Sequence, residues 1–373
     1  MTQTQRTILV TGAQGFIGKN LVTRLRELPN VVVSEFDRDD APATLPERLA
    51  DVDAVVHLAG ENRPQDVSAF AEVNTGLTVA LCNAIRATGR SIPLLLASST
   101  QAVQDNPYGH SKLAAEQAVR LLAAETGNPV VVFRLPGVFG KWCRPNYNSV
   151  VATFCHNLAR GLPIQINNPA TTLQLAYVDD VVSALIAALD KPLPGVAQGV
   201  VQPEYSTTLG ELAAQIEAFA ACRSSLLSER VGTGFTRALY ATYVSYLPNE
   251  RFTYPLTKHE DPRGVFVEML KTPDCGQFSY FTAHPGITRG GHYHHTKTEK
   301  FLVIKGQALF RFRHLLTDEL FELRTSGEAP QVVDTIPGWS HDITNVGDDE
   351  MVVMLWANEN FDRERPDTIS SKV

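Results

Sequence analysis

Residues 107–112 read Pro-Tyr-Gly-His-Ser-Lys, which sets a tyrosine and a lysine four positions apart. On a helix that spacing puts Tyr108 and Lys112 on one face. An ammonium beside a phenol favours the phenolate, so the phenol exchanges its proton more easily than its reference pKa of about 10 implies. Such a tyrosine can protonate a carbonyl oxygen while a hydride reaches the carbon. The plainer alternative is a tyrosine packed on a lysine stem, and the residues upstream decide between the two.

TILV at 7–10 is a short apolar strand, TGAQGFIG follows at 11–18, and KNLVTRLREL continues with helical periodicity. Strand, glycine turn and helix are the context that gives a glycine motif meaning. Gly12 permits the tight turn. Gly15 lets backbone N–H groups approach a pyrophosphate at the helix start, and Gly18 lets helix and strand pack closely. Gln14, Phe16 and Ile17 share that turn and join the dinucleotide-binding candidates. The spacing Gly-x-x-Gly-x-x-Gly departs from the Gly-x-Gly-x-x-Gly fingerprint. VVVSEF at 31–36 reads as a second strand ending at Asp37-Arg38. An acid there suits a ribose 2′-hydroxyl, and an arginine accommodates a 2′-phosphate. With both present, NADPH is favoured over NADH; the alternative is a solvated charged turn.

The elements that must carry these residues follow. VDAVVHLAG at 52–60, IPLLLASST at 92–100 and PVVVFRLPGVFG at 129–140 are apolar strands, with helical stretches at 67–88 and 108–126. Continuous apolar strands alternating with helices predict a doubly wound parallel sheet covered on both faces. Ligands then bind at the carboxyl ends of the strands. Gly60, Ser98, Ser99, Thr100 and Tyr108 should meet at one crevice, where a hydroxyl of Thr100 or Ser99 could hold a substrate carbonyl.

TGAQGFIG, HLAG, SST, YGHSK and AYVDD together resemble the extended short-chain dehydrogenase/reductase family over about residues 5–245. Members act mostly on nucleotide-diphosphate sugars. The resemblance implies Thr100, Tyr108 and Lys112 as the catalytic trio, and Leu58, Ala59 and Gly60 of HLAG beside the cofactor. Two departures stand out. Only seven residues separate Thr100 from Tyr108, and the family's Val-Asn-x-x-Gly-Thr helix here reads Val73-Asn74-Thr75-Gly76-Leu77-Thr78. KWCRPNYNS at 141–149 mixes cations, an aromatic and amides past a strand end, which suits a nucleotide diphosphate. Its alternative is a basic surface loop. Asp179-Asp180 in AYVDD are expected to cap a helix.

TLGELAAQIEAFAACRSSLL is the last clear helix. Beyond 245–260 come short alternating segments: GVFVEMLK, GQFSYFTA, KFLVIKGQALFRFRHLL, QVVDTI and MVVMLWANE. Many short strands predict a closed antiparallel barrel or sandwich. A boundary near 248–252 gives domains 1–248 and 249–373. In the second, Gly286, His292, His294, Glu299 and Gly306 precede Pro337-Gly338-Trp339-Ser340-His341 and Asn345. His292 and His294 are two apart, so on a strand both face one side. With Glu299 and His341 they offer three imidazoles and a carboxylate, a set for zinc, manganese, iron or nickel, zinc first. His284 and His295 read as surface or outer residues.

These spacings resemble the cupin motifs, which imply a jelly-roll domain. Pro262 to Glu268 and Arg289-Gly290-Gly291-His292-Tyr293 also resemble the nucleotide-sugar 3,5-epimerase cupins, in which the matching arginine contacts phosphate and the matching histidine is a base. His292 thus has two competing roles, because a metal-bound nitrogen has no lone pair left for a proton. HLAGENRP, KWCRPNYNS, GGHYHHTKTEKFLVIKG and PGWSH extend the likeness to the two-domain capsular-polysaccharide enzymes of UDP-N-acetyl-L-fucosamine formation. That resemblance implies a UDP-2-acetamido-2,6-dideoxy-4-hexulose substrate contacted by Asn62, Arg134, Lys141, Arg144, Asn146, Arg263 and Glu268. The cupin would invert carbon 3 and the reductase reduce carbon 4. Rival readings are a single-function 4-ketoreductase with an assembly cupin, a 4-epimerase that regenerates its cofactor, and a cofactor-sensing scaffold without turnover.

The chain's 373 residues suffice for two domains. A net charge of −7 argues against nucleic acid or an anionic membrane as the main partner. No apolar run approaches the ~18 residues of a membrane span. MTQTQRTILV has no signal-peptide layout. Five scattered cysteines with no Cys-x-x-Cys pair suggest neither a disulfide framework nor a zinc ribbon. The expectation is a reduced, cytoplasmic homodimer.

Overall fold

The computed structural model describes every residue except 1–4, 64–65, 192–193, 258, 262–263, 267–269, 271–276 and 360–363, and only the backbone at 259–261, 264–266 and 277–279. Arg263 and Glu268 lie outside the described residues. By packing, the chain divides into two compact units. One comprises 1–149 and 173–206, the other 150–172 and 207–373.

The first unit is built on a six-stranded sheet ordered Val31–Phe36, Arg6–Thr11, Ala54–His57, Leu94–Ser99, Val130–Leu135, Val196–Gly199. Every pairing is parallel. Successive side chains alternate faces, and both faces are covered. Ile8, Val10, Val56, Leu95 and Phe133 pack with Leu21, Leu25, Val181 and Leu185 on one side. Leu9, Val55, Leu96 and Val132 pack with Leu81, Ile85, Val119 and Leu122 on the other. The chain runs out from Arg6–Thr11 to one edge, then returns to Ala54–His57 on its other side. That reversal opens the ligand crevice of such sheets at the carboxyl ends of these two strands. Pro136 breaks the strand expected over 129–140 into Val130–Leu135 and Gly137–Phe139, which join different sheets.

The second unit carries two five-stranded antiparallel sheets. One is ordered Thr253–Pro255, Gln331–Asp334, Glu299–Lys305, Met351–Ala357, Gln277–Ala283; the other Leu320–Ser326, Gln307–His314, Trp339–Asn345, Thr288–Tyr293, Ile369–Ser370. They face each other across an aromatic core, with Phe301 on Phe310 at 5.7 Å and Phe252 on Trp339 at 5.3 Å. The helix Leu209–Ser225 starts with a reciprocal cap between Thr208 and Glu211. A further helix, Gly234–Val244, was not legible as one: its threonines, tyrosines and valine are weak helix formers, and burial of Ala238 to Val244 overrides propensity. Both helices precede residue 248 yet group with the β-rich unit, to which Arg223 is tied by Asp334 at 2.9 Å and Arg237 by Glu359 at 2.9 Å. Among the described residues no helix is long and apolar enough to cross a membrane.

Candidate active site and metal centre

The glycine turn ends the first strand. Gly12 adopts φ +68°, and a Cβ there would stand 2.7 Å from the Ala59 amide nitrogen. The Leu58–Ala59 backbone therefore passes directly over the turn. A Cβ on Gly18 would meet the Gly12 carbonyl oxygen at 2.1 Å, so helix and turn touch backbone to backbone. The helix Phe16–Arg26 has Gly15 as N-cap, no side-chain cap and no acid in its first turn. That N-terminus suits the pyrophosphate of a dinucleotide. Asp37 accepts the Gln14 amide at 3.0 Å and so holds the turn against the second strand. Burial raises its carboxyl pKa, opposed by that amide. Arg38 is almost fully exposed and pairs with Glu61 at 3.3 Å.

Behind the turn lies a directional hydrogen-bond chain. Thr78 donates to the Asn74 carbonyl at 2.6 Å, so it must accept from His57 Nε2–H at 2.8 Å. His57 Nδ1 then accepts from Thr11 at 2.6 Å, and Thr11 accepts the Ala59 amide. Burial, reinforced by Lys112, pushes His57 down to about 3, so the ring is a neutral spacer. Asn74, on the wide helical turn Phe70–Gly76, brackets Glu61 through its backbone N–H (2.7 Å) and carbonyl (3.1 Å) and donates to Ser111 at 3.0 Å. Asn74 thus fixes the Gly60–Glu61 edge of the crevice.

The helix Pro107–Thr126 starts where Asn106 caps the Gly109 amide at 2.8 Å, with proline at its first position. It delivers Tyr108, Lys112 and Glu116 on one face. Lys112 Nζ donates to the Ala97 carbonyl at 3.2 Å and sits 6.0 Å from the Tyr108 ring centroid. A Cβ on Gly60 would crowd that nitrogen at 3.0 Å and the Asn74 Oδ1 at 2.9 Å, so both side chains close tightly on the Gly60 backbone. Burial pulls Lys112 down to about 8, against the pull of Glu116. Burial raises the Tyr108 phenol, against a hydrogen bond with Ser99. Burial thus keeps the phenol protonated in the neutral range, as an acid for ketone reduction requires. Ser99, the last residue of its strand, is the hydroxyl that meets Tyr108; Thr100 begins the next turn and is exposed beside it.

Among the described residues, those expected to contact substrate fall into two groups, two held in ion pairs and three exposed near Glu61 and Tyr147. Arg134 is locked by Glu116 in a two-pronged pair at 2.8 Å, and Ser98 donates to the same carboxylate at 2.6 Å. Lys141 is buried and held by Asp179 at 2.8 Å, so it is no open phosphate ligand. That pair also corrects the capping role expected of Asp179: Tyr177 is the N-cap, with no side-chain capping bond, and Asp179 and Asp180 sit in the first helical turn. Arg144 and Asn146 are exposed, and Asn62 is exposed beside Glu61. Arg144 lies on Tyr147 at 5.3 Å, and Tyr147 donates to Glu61 at 2.7 Å. Glu61, Glu116 and Tyr147 were not singled out from the sequence; the spacing 108, 112, 116 on one helix face was the available signal for Glu116.

In the second unit Gly290 and Gly291, at φ +96° and +74°, form a register shift in the strand Thr288–Tyr293. The bulge re-aims the strand so that His292 stands opposite His341. The donor atoms of His292, His294, Glu299 and His341 all lie within 4.8 Å of one another. His294 Nε2 is 3.2 Å from Glu299 Oε2. His341 Nε2 stands 3.6 Å from it, beyond hydrogen-bond reach, and both ring nitrogens of His341 are buried with no hydrogen-bond partner. Burial, then His341 and His294, push His292 down to about 3; burial also lowers His341. Although burial opposes it, the neighbouring rings and Lys297 (2.8 Å) hold Glu299 well below the carboxylate range. Three imidazoles around one carboxylate, with both His341 nitrogens lacking a hydrogen-bond partner, fit a divalent cation. A cavity of about 180 Å³ opens onto His292, Glu299 and His341, with Arg289 and the apolar Phe281, Phe301, Phe310 and Leu355 on its walls.

Residues 8–202 match the NAD dependent epimerase/dehydratase family, and residues 259–369 match the polysaccharide biosynthesis C-terminal domain. The chain is 56% identical over 366 residues, 98% of each chain, to the UDP-2-acetamido-2,6-beta-L-arabino-hexul-4-ose reductase of Pseudomonas aeruginosa. Its structure is similar to that of the capsular polysaccharide assembling protein CapF from Staphylococcus aureus, with TM-score 0.67, 43% identity, and coverage of 98% of this chain and 100% of that one. These likenesses run along whole chains, and this protein belongs to the NAD-dependent epimerase/dehydratase family, with a polysaccharide-biosynthesis domain following the dinucleotide-binding one.

Proposed function

We propose that the chain is a bifunctional nucleotide-sugar enzyme of capsule or O-antigen synthesis. Its β-rich unit, a cupin, inverts carbon 3 of a UDP-2-acetamido-2,6-dideoxy-4-hexulose. Its dinucleotide-binding unit then reduces the carbon 4 ketone with NADPH, giving UDP-2-acetamido-2,6-dideoxy-L-talose. The carrying observation is the full-length likeness to a reductase of that 4-hexulose class, in a chain that keeps both the Tyr108–Lys112 pair and the His292–His294–Glu299–His341 cluster. Chemistry orders the steps. The carbon 3 proton is acidic only while carbon 4 is a ketone, because the carbanion then delocalises as an enolate.

Gly12, Gly15 and Gly18 receive the cofactor pyrophosphate, and Asp37 and Arg38 its ribose and 2′-phosphate. The nicotinamide supplies the hydride. Tyr108 gives its proton to the carbon 4 oxygen, and the Lys112 ammonium supports the phenolate that remains. In the cupin the four clustered residues hold one divalent metal, zinc on their donor set, whose charge would favour an enolate. Arg289 faces that cavity and suits a diphosphate. The working form is a cytoplasmic homodimer; the edge strand Gln277–Ala283, with Tyr280 exposed, is an edge that a second copy can cover.

The test is turnover in deuterated water with NADPH and the 4-hexulose. Deuterium at carbon 3 and net NADPH oxidation are both expected. Oxidation without deuterium would leave a ketoreductase with an assembly domain; exchange without net oxidation would remove the reductase half. Within the crevice, Ser99→Ala should lower kcat about tenfold with NADPH affinity unchanged, the loss of one hydrogen bond on the phenol. Thr100→Ala should cost less. The reverse ranking in steady-state kinetics would return the substrate-holding hydroxyl to Thr100.

A further inference from the structure

The segment 367–372 lies against three of the four clustered ligands. Ile369–Ser370 pairs as an edge strand with His292 and Tyr293, and the Ser371 amide donates to the Gly291 carbonyl at 2.8 Å. Ser340, next to His341, donates to the Ser371 carbonyl at 2.7 Å. Arg313 holds the segment from the far side through the Lys372 carbonyl at 2.8 Å.

Asp367 does two things here. Its carboxylate accepts the His295 amide at 2.8 Å, the Thr296 amide at 2.7 Å, the Thr296 hydroxyl at 3.0 Å and the Lys297 amide at 2.7 Å. One anion thereby gathers three successive backbone N–H groups of the turn that links His294 to Glu299. Its own carbonyl accepts His294 Nδ1–H. A carbonyl only accepts, so Nδ1 carries the proton of that bond, and Nε2, 3.2 Å from Glu299 Oε2, is the ring nitrogen turned to the cluster. Outer partners of this kind orient a ligand ring and raise its basicity.

We propose that Asp367 is the positioning residue of the metal centre, setting the His294 tautomer and the geometry of the His294–Glu299 turn from a segment some seventy residues away in sequence. The inference rests on the reading that the four residues bind a divalent metal. Without the carboxylate, three amides of the turn lose their common acceptor, and the carbonyl that orients His294 loses its anchor. Arg237 reaches Thr296 from the helix Gly234–Val244 and holds the same turn from another side. The barrel should therefore survive the loss while the ligand geometry loosens.

The experiment uses the full chain as wild type, Asp367→Ala, Asp367→Asn and Thr296→Val. Zinc affinity is read by competition with a chromophoric chelator, and ligand geometry by the visible absorption of the cobalt(II)-loaded protein. NADPH binding and far-ultraviolet circular dichroism report the fold. Zinc affinity should fall about 10–100-fold in Asp367→Ala. Asp367→Asn should lose less, and so should Thr296→Val, which removes one donor of four together with the Arg237 contact. The cobalt spectrum should change in the same order. Should Asp367→Ala not fold, the graded loss in the two milder variants carries the test. Wild-type affinity and an unchanged cobalt spectrum in Asp367→Asn and Thr296→Val, with or without Asp367→Ala, would overturn the proposal. A wild type that takes up no zinc or cobalt would instead overturn the metal reading itself.

Discussion

Tyr108→Phe is expected to keep dinucleotide binding and to lose ketone reduction by about 10²–10⁴-fold, the usual worth of a positioned general acid. The ring stays, so its packing on Phe70 at 5.6 Å is preserved and only the hydroxyl is removed. Retention of near wild-type NADPH oxidation would remove Tyr108 from the chemistry. The wild type should also show a pH limb with a definite sign. Reduction needs a protonated phenol and, once the proton has gone, a cation beside the phenolate. Burial has raised the phenol, so its proton is present throughout the neutral range. Burial has lowered Lys112 to about 8. Below that pH the ammonium is present and kcat should be flat. As pH rises through about 8 the ammonium is lost and kcat should fall. A bound dinucleotide, being anionic, moves this limb upward. A kcat that rises across that range would mean the lysine acts as a neutral base.

The parallel sheet was legible because its strands are continuous apolar runs, which only a sheet covered on both faces requires, and because glycines sit where strand meets helix. Tyr108 and Lys112 were legible because both lie on one helix, where spacing alone fixes their common face. That three histidines and a glutamate gather was legible for a similar reason: His292 and His294 are two apart, and Glu299 and His341 stand at family spacings. What failed to read were partners brought from elsewhere in the chain. Lys141 looks like a phosphate ligand in a basic loop, and only the fold shows Asp179 opposite it. Arg134 is taken by Glu116 in the same way. Asp367 stands in a charged stretch, RERPD, with no local pattern to mark it. The helix Gly234–Val244 hid because burial, not propensity, makes it. The choice between Ser99 and Thr100 turns on one residue of strand end, a boundary that sequence patterns place least well.

Replacing His292, His294 and Glu299 together should abolish hydrogen exchange at carbon 3 of the 4-hexulose while leaving NADPH binding in place. The physical reason is that, among the described residues, His292 and Glu299 supply everything charged or basic on that cavity's wall except Arg289, His341 and the Arg311-bound Asp342, while His294 stands behind them in the same cluster. Removing them takes away any metal and also the one imidazole open enough to act as a base: His292 is half-buried, whereas His294 and His341 are buried. Loss of a general base alone costs about 10²–10⁴-fold. His341→Ala separates the two contributions. It leaves His292 in place and removes a ligand whose nitrogens have no other partner, so metal content should fall. If the metal only braces the barrel, this variant should melt at a lower temperature yet retain exchange near the wild-type rate in the fraction that is folded. If the metal acts on the enolate, exchange should fall with metal content and return when zinc is restored to saturation. Carbon 3 exchange is followed by proton nuclear magnetic resonance in deuterated water without nicotinamide, so the reductase cannot mask it. Exchange at the wild-type rate in the triple variant would remove the β-rich unit from the epimerisation and leave the carbon 3 step to another protein.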